Sequence, residues 1–583
     1  MPKLNRRTFI KLSSLAALVF FSTSYGGISD ARAGKADLVV YGKIFTSEDN
    51  KIVEAFAVKD GKFIFVGDKK GAEKFIEDGK TEIIDYSGKG LVMPGCGNGH
   101  AHYFMGHTIQ KIGTVIDIET GVEEFLNEIV PSAVKKVKES GAKVVYGMGW
   151  EYEKFKHNMP TRQQLDAICS DMPMFFADEE AHKAIANTLC LINAGIMAAD
   201  GTVLKKGDDI RGGEIVMGAD GTPTGFLKEQ SATYVRFFLD NDDFFSVDFA
   251  KTNIPDIEQH LLSEGYTMYL DGWSNYFYDE DFFKAAQQMD KAGDIHFVLG
   301  LTYEFESWMN IDEYFKKAVD AKKYSSTHVK PNWIKLFIDG TVETGTGFIE
   351  PVYLDGHQGI INWTEEEITE ITRKANLNGL SMHIHAMGNA GVNRIVNAYI
   401  NGGKNEMRNT IVHLYGVNNS DYKRMADNNI YVTAGMIWHC ADDDFQSGLL
   451  EILPEEMATE GYPIKSFFDN GVNISSYSDF PALSGSADDP FGIMEIAVTG
   501  INYAEFGKAW WPEELITREQ ALTALTINVA KQMFLENERG SIKEGKFADF
   551  LLVTKDVLTC PIEEIHTAKP AATFFEGKKV FSL

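Results

Sequence analysis

Cysteine is scarce. The chain has five in 583 residues, Cys96, Cys169, Cys190, Cys440 and Cys560, an odd number with no C-x-x-C spacing. That excludes a disulfide framework and a cysteine-based zinc cage, and leaves these side chains as small buried hydrophobes. Positive charge is also in short supply: 56 Lys and Arg stand against 84 Asp and Glu, for a formal net charge of −28. Such a surface repels nucleic acid and anionic membranes instead of releasing counterions on contact. The expected partner is a small molecule. A long apolar run is missing too, since the leading one, Leu15 to Phe21, falls far short of the roughly 20 residues that cross a bilayer. No permanent membrane anchor is expected. What remains, 44% apolar and 24% charged residues, is an ordinary globular composition over a chain too long for one small domain.

Residues 1–33 read as a targeting segment. Arg6 and Arg7 stand in NRRTFIK, the short apolar run follows, and Ala31-Arg32-Ala33 supplies an A-x-A cleavage site. This is the pattern of a twin-arginine signal peptide, which predicts cleavage after Ala33, a passing partnership with the twin-arginine export machinery, and a periplasmic or otherwise exported protein. That route implies folding before export, which suits a metal site filled in the cytoplasm.

From residue 34 to 94 the pattern is short and extended, in ADLVVYGKIFT, IVEAFAVKDGKFIFVG and TEIIDYSGKGLVMPG, with Asp60-Gly61 marking a hairpin turn. Residues 538–583 have the same character in GSIKEGKFADFLLVTKDV and AATFFEGKKVF. The two ends together predict one composite β-sandwich. Residues 95–537 alternate extended apolar runs with amphipathic stretches such as TEEEITEITRKANLNG and AGVNRIVNAYING, so the fold class is α/β, a TIM-type (β/α)8 barrel. Its strands are predicted to end near His102, Asp271, Leu301, Asp339, His385, His413, Gly435 and Asp479. The interval after the first strand is too long for a connection, so about 104–253 is read as an inserted subdomain.

Catalytic groups of such barrels sit at the C-terminal ends of the strands. In GNGHAHYF, His100 and His102 lie two apart and project from the same side of an extended chain, where two neutral nitrogens can grip a divalent metal. Lys335 in NWIKLFIDG, His385 in SMHIHAMGN, His413 in NTIVHLYG and Asp479 in ISSYSDFPA each fall at a predicted strand end. Together they form the candidate ligand set.

With these residues the chain resembles the amidohydrolase superfamily, in its YtcJ-like branch. The resemblance extends through YGMGWEYEKF, DMPMFFADEEAHKAIANTLCLINAGI, GGEIVMGADGTPTGFL, KLFIDGT, HIHAMGNAGV, IVHLYG and SDFPALSGSADDPFGIMEIAVTG, nearly the whole mature chain. It implies that His100 and His102 bind the more buried metal, His385 and His413 the more exposed one, and Lys335, carboxylated on its amine, bridges them. It also favours His385 over His383 as ligand, leaving His383 to support a ligand or to face the substrate. The ligand chemistry points to one or two zinc ions, with iron or manganese as alternatives. The implied reaction is hydrolysis of an amide-like C–N bond by a metal-activated water, with Asp479 as general base and then acid.

Three departures from the usual pattern bear on tuning and substrate: Asn98 where an aspartate is common, Asn389 in HAMGN where HAIGD is common, and TVETGTG after the fourth strand in place of a Gly-Ser-Arg type loop. The insertion contributes Trp150, Tyr152, Phe155, Phe175, Phe176 and His182, either as pocket lining or as the subdomain's own core. His182, Trp150 and His383 are the candidate substrate contacts. Two further readings stand beside hydrolysis: deamination or isomerisation on the same site, and a non-catalytic periplasmic metal-binding or regulatory protein, for which a general base such as Asp479 would be superfluous.

Overall fold

The computed structural model describes residues 34–179, 181–239, 246–276, 280–440, 443–481, 488–503 and 509–583, with the side chains of 443–445 excepted. The twin-arginine segment, 1–33, lies outside the described residues.

Eight parallel strands follow one another in chain order around a barrel: Cys96–Ala101, Tyr266–Asp271, Val298–Glu304, Val329–Phe337, Ser381–Ala386, Thr410–His413, Tyr431–Ala434 and Asn473–Ser476. All six residues of the first, second and fifth strands are buried. That follows from a parallel sheet covered by helices on its outer side and filled by side chains on its inner side. The helices start where local chemistry dictates. Thr364 caps Glu365–Asn378 with a full capping box, its hydroxyl taking the Glu367 N–H while the Glu367 carboxylate returns to the Thr364 N–H.

Between the last and first strands the closure is made by individual bonds. The Asp479 N–H donates to the His100 carbonyl at 3.2 Å and the His102 N–H to the Phe480 carbonyl at 2.7 Å. Gln532 joins the two edges, its Nε2 donating to the Gly99 carbonyl at 3.0 Å and its Oε1 accepting from the Ser475 hydroxyl at 2.7 Å. Asn98 adds a third tie, donating to the Ser478 hydroxyl at 2.7 Å and accepting from the Ser478 N–H at 3.2 Å.

The strands of the two chain ends form one continuous sheet, joined where Leu551 pairs with Met93 in antiparallel register. The sheet folds back on itself: Phe56 and Phe550, on strands that are not neighbours, meet at 4.9 Å, and Lys62 bridges Phe547. Its interior is the apolar cluster around Val40, Val92 and Phe574.

After the helix Tyr103–Ile112 the chain leaves the barrel for a sheet of six strands, from Thr114–Val115 to Pro223–Glu229. It returns in the helix Val247–Glu264, whose Asn253 amide donates to the Thr108 hydroxyl at 2.9 Å. This inserted layer overhangs the strand ends and brings His182 and Glu229 to them.

Candidate metal centre

The inward side chains of the first strand and the turn after the eighth converge. Oδ1 of Asp479 lies 3.3 Å from Nε2 of His100 and 3.3 Å from Nε2 of His102. Among the described residues these three form the cluster whose potential ligand atoms lie within 4.8 Å of one another. Asp479 is held at a positive φ of 60°, strained for a residue with a side chain, and the bond to the His100 carbonyl keeps it there.

His413 and His385 form the adjacent pair, their rings 4.5 Å apart. Nδ1 of His413 is 2.6 Å from the Tyr477 hydroxyl and 3.8 Å from Oδ2 of Asp479. Nε2 of His385 donates to the Gly340 carbonyl at 3.2 Å, which leaves Nδ1 as its free lone pair. Parallel pairing sets this juxtaposition: Ala386 is in register with His413, and Phe337 with His385.

Lys335 is wholly buried, and among the described residues its Nζ has no hydrogen-bond partner. It sits 4.3 Å from the centre of the Phe337 ring. Burial pushes its ammonium down to about 8, against the opposing pull of Asp479, Glu304 and Glu306. His383 stands behind His100, with Nε2 2.8 Å from Nδ1 of His100. It fixes the orientation of that ring and is not among the pocket-lining residues.

Burial pushes His100, His385 and His413 well below the usual imidazole range, with nearby Lys335 and neighbouring rings adding to the effect, so the rings are neutral donors. Burial pushes Asp479 up, but the hydrogen bond from His102, with His413 and the Lys335 ammonium close by, outweighs it and holds the carboxyl at about 2. Neutral imidazoles, a carboxylate, and the orphaned nitrogens His100 Nε2 and Lys335 Nζ make a donor set that fits a divalent cation.

These groups line a pocket that His182 also enters, its ring 5.3 Å from that of His385. Trp150 is placed elsewhere. It is wholly buried in the core of the inserted subdomain, its ring 5.1 Å from Phe155 and its Nε1 donating to the Phe176 carbonyl at 2.9 Å. The packing of the insert claims it, so it does not line the pocket.

Several functional neighbours escape motif reading. Tyr477 lies behind His413, Glu229 behind His182, and Asp339 accepts N–H bonds from Phe348, Met387 and Gly388, which pins the loop carrying the fifth strand's end. Gly272 is constrained by its surroundings: a Cβ there would lie 2.2 Å from Cε1 of His100 and 2.9 Å from that of His102. Asn389 begins the helix Asn389–Asn401 and bonds the Glu350 backbone on both sides, a structural role for that departure.

A parallel barrel with paired histidines on its first strand, further histidines ending the fifth and sixth, and an aspartate after the eighth is the architecture of a metal-dependent hydrolase. The chain belongs to the amidohydrolase family, whose model matches residues 82–581. It is 25% identical to Protein LONG AFTER FAR-RED 3 of Arabidopsis thaliana over 563 residues, 93% of this chain and 91% of that one. It is 24% identical to N-substituted formamide deformylase of Arthrobacter pascens over 553 residues, 91% of this chain and 95% of the relative. The crystal structure of a metal-dependent hydrolase from Pyrococcus horikoshii has the same fold, with a TM-score of 0.69 at 21% identity, covering 90% of this chain and 99% of that one.

Proposed function

We propose that this protein is an exported hydrolase that cleaves an amide-like C–N bond of a small molecule with a metal-activated water. The observation that carries the reading is the position of Asp479, whose one oxygen is 3.3 Å from the ring nitrogens of two buried histidines, His100 and His102, at the floor of the pocket. His100 and His102 would hold one divalent ion, and His385 and His413 a second, with Lys335 as a carboxylated bridge; zinc is the metal that this donor set favours. A cation there lowers the pKa of water and polarises a carbonyl oxygen. The chain's own part is to hold Asp479 ionised, so that it takes a proton from water and returns it to the leaving nitrogen. The amide chemistry named in the Arthrobacter relative supports this reaction class.

The test combines metal analysis of the purified protein with a turnover screen of N-substituted formamides, N-acyl amines and cyclic amides. Asp479→Asn should lower kcat by about 10² to 10⁴-fold, the range of a lost general base. Turnover of none of these classes by a fully metallated protein would overturn the reading. Export is tested separately: Arg6→Lys with Arg7→Lys should leave the uncleaved chain in the cytoplasm.

A further inference from the structure

Tyr477 does more than stand behind His413. It follows the eighth barrel strand, where Ser475 points into the barrel and its hydroxyl meets Thr433 and Gln532. Two residues further on, Tyr477 points the same way and lines the pocket beside His100, His413 and Asp479. Its ring centre lies 5.4 Å from that of His413 and 5.5 Å from that of His100, and the side chain is fully buried. Gly435, just past the seventh strand, keeps the place of the hydroxyl clear: a Cβ there would lie 2.2 Å from Cδ1 of Trp438 and 2.7 Å from the Tyr477 oxygen.

The Tyr477 oxygen is 2.6 Å from Nδ1 of His413. A histidine that holds a cation does so as a neutral ring, with one lone pair and one N–H. If His413 offers the lone pair of Nε2, Nδ1 carries the hydrogen and donates it to the Tyr477 oxygen, as the second nitrogen of a ligating histidine does. If His413 offers the lone pair of Nδ1, the phenol finds no acceptor there. Either way the Tyr477 O–H is not taken up by His413. The Trp438 indole is the other hydrogen-bond neighbour of that oxygen, and an indole N–H only donates. Among the described residues no acceptor besides His413 is bonded to this hydroxyl. A buried O–H without an acceptor is costly, so with His413 engaged it requires one from whatever occupies the pocket.

The geometry points to Tyr477 as a catalytic residue, whose phenol donates a hydrogen bond to the carbonyl oxygen of the substrate. The assignment rests on the hydrolase reading for the bond that is cleaved, but the oxygen-binding donor stands apart from it. As water attacks, its oxygen supplies the pair for the new C–O bond, the carbonyl π pair moves onto the oxygen facing Tyr477, and a water proton passes to Asp479. On collapse that pair returns, the C–N pair leaves with nitrogen, and nitrogen takes the proton from Asp479. Tyr477 keeps its own proton throughout. Its bond is strongest while the oxygen carries charge, which is where a fixed donor lowers the barrier.

The experiment is calorimetric titration of metallated wild type and Tyr477→Phe with two probes. Acetohydroxamate binds a divalent centre through charged oxygens, whereas ethanethiol binds it through sulfur, a weak acceptor. The variant should keep its metal and its affinity for ethanethiol and bind acetohydroxamate at least about tenfold more weakly, the range of a lost hydrogen bond to a charged oxygen. Undiminished acetohydroxamate affinity in the variant would overturn the assignment, as would failure of metallated wild type to bind acetohydroxamate. A parallel loss for both probes, or loss of metal, would also overturn it and leave Tyr477 as a support for His413 alone. Because no turnover is read, failure of the hydrolase reading would leave this result standing, and failure of the donor would leave the hydrolase reading untouched.

Discussion

Glu229 grips His182 from behind: its Oε2 stands 2.7 Å from Nδ1 of His182 while its Oε1 accepts the Thr346 hydroxyl at 2.7 Å. Burial works against an imidazolium at His182, but the charge of Glu229 and its hydrogen bond win and push the group up. The arrangement tolerates strain, since Glu229 has a positive φ of 49° and a Cβ on Gly340 would lie 2.4 Å from Glu229 Oε1. With Nδ1 committed to the carboxylate, Nε2 is the His182 atom left to donate to a substrate.

Glu229→Gln keeps the shape and removes the charge. Because a hydrogen bond to a charged group contributes about 1.5–3 kcal/mol, kcat/KM should fall about 10- to 100-fold with metal content unchanged. Kinetics paired with metal analysis checks this. Loss of metal in the variant would place Glu229 in support of the ligands instead of His182.

Lys335 offers a buried, unpartnered amine that burial has already pushed down toward the neutral form, the form that reacts with carbon dioxide. Lys335→Ala should lower both metal content and activity. Lys335→Arg should not restore them, because guanidinium stays positive and forms no carbamate. Carbon-13 spectra of protein prepared with labelled bicarbonate should show the adduct in the native state. An unmodified lysine in fully metallated, active protein would reduce the centre to a single-metal site.

Gly272→Ala tests the closeness of the first-strand histidines to the second strand's end. The added methyl would lie 2.2 Å from His100 Cε1, so the ring must move. Overpacking of this kind typically costs about 1–3 kcal/mol. The expected variant is folded, with reduced thermal stability and a larger loss of bound metal. Wild-type metal content would mean that the strand end yields instead of the ring.

The barrel and the terminal sheet are tied by His328, whose Nδ1 is 2.7 Å from Asp290 and whose Nε2 is 3.1 Å from Glu576. Burial opposes the charged ring, but the bonds it donates to both carboxylates raise its pKa to about 9, while Asp290 and Glu576 are lowered to about 2. A raised histidine stabilises fully below its unfolded pKa of about 6.5 and loses that contribution as pH rises through 9. The lowered carboxylates contribute fully above about 4.5 and lose it as pH falls through 2. The destabilisation by His328→Gln should therefore be greatest between about pH 4.5 and 6.5 and shrink by pH 10, read from Tm against pH for both proteins. A difference in Tm that is flat from pH 5 to 10 would remove the ion pairs from the account.

The strand ends, and the gathering of the candidate ligands at them, were legible in the sequence because both depend on local rules. His100 and His102 lie two apart on an extended run, so they share a face wherever that run goes, and the run-and-helix alternation places Lys335, His385, His413 and Asp479 at ends that the barrel brings together. Thr364 and Glu367 announce their helix within four residues. Trp150 and His182 show the limit of such reading. Both sit in segments of the insert that match the family, yet packing turns one into its own core and the other toward the metal centre. Only the tertiary structure could decide this, because alternation along a strand says which side chains share a face but not what that face will meet. The His182–Glu229–Thr346 chain spans two domains, and Gly272 matters only because the first strand lies beside it. Such contacts are set by how the layers dock, a sum of many weak packing terms over the whole molecule that no short stretch of sequence contains.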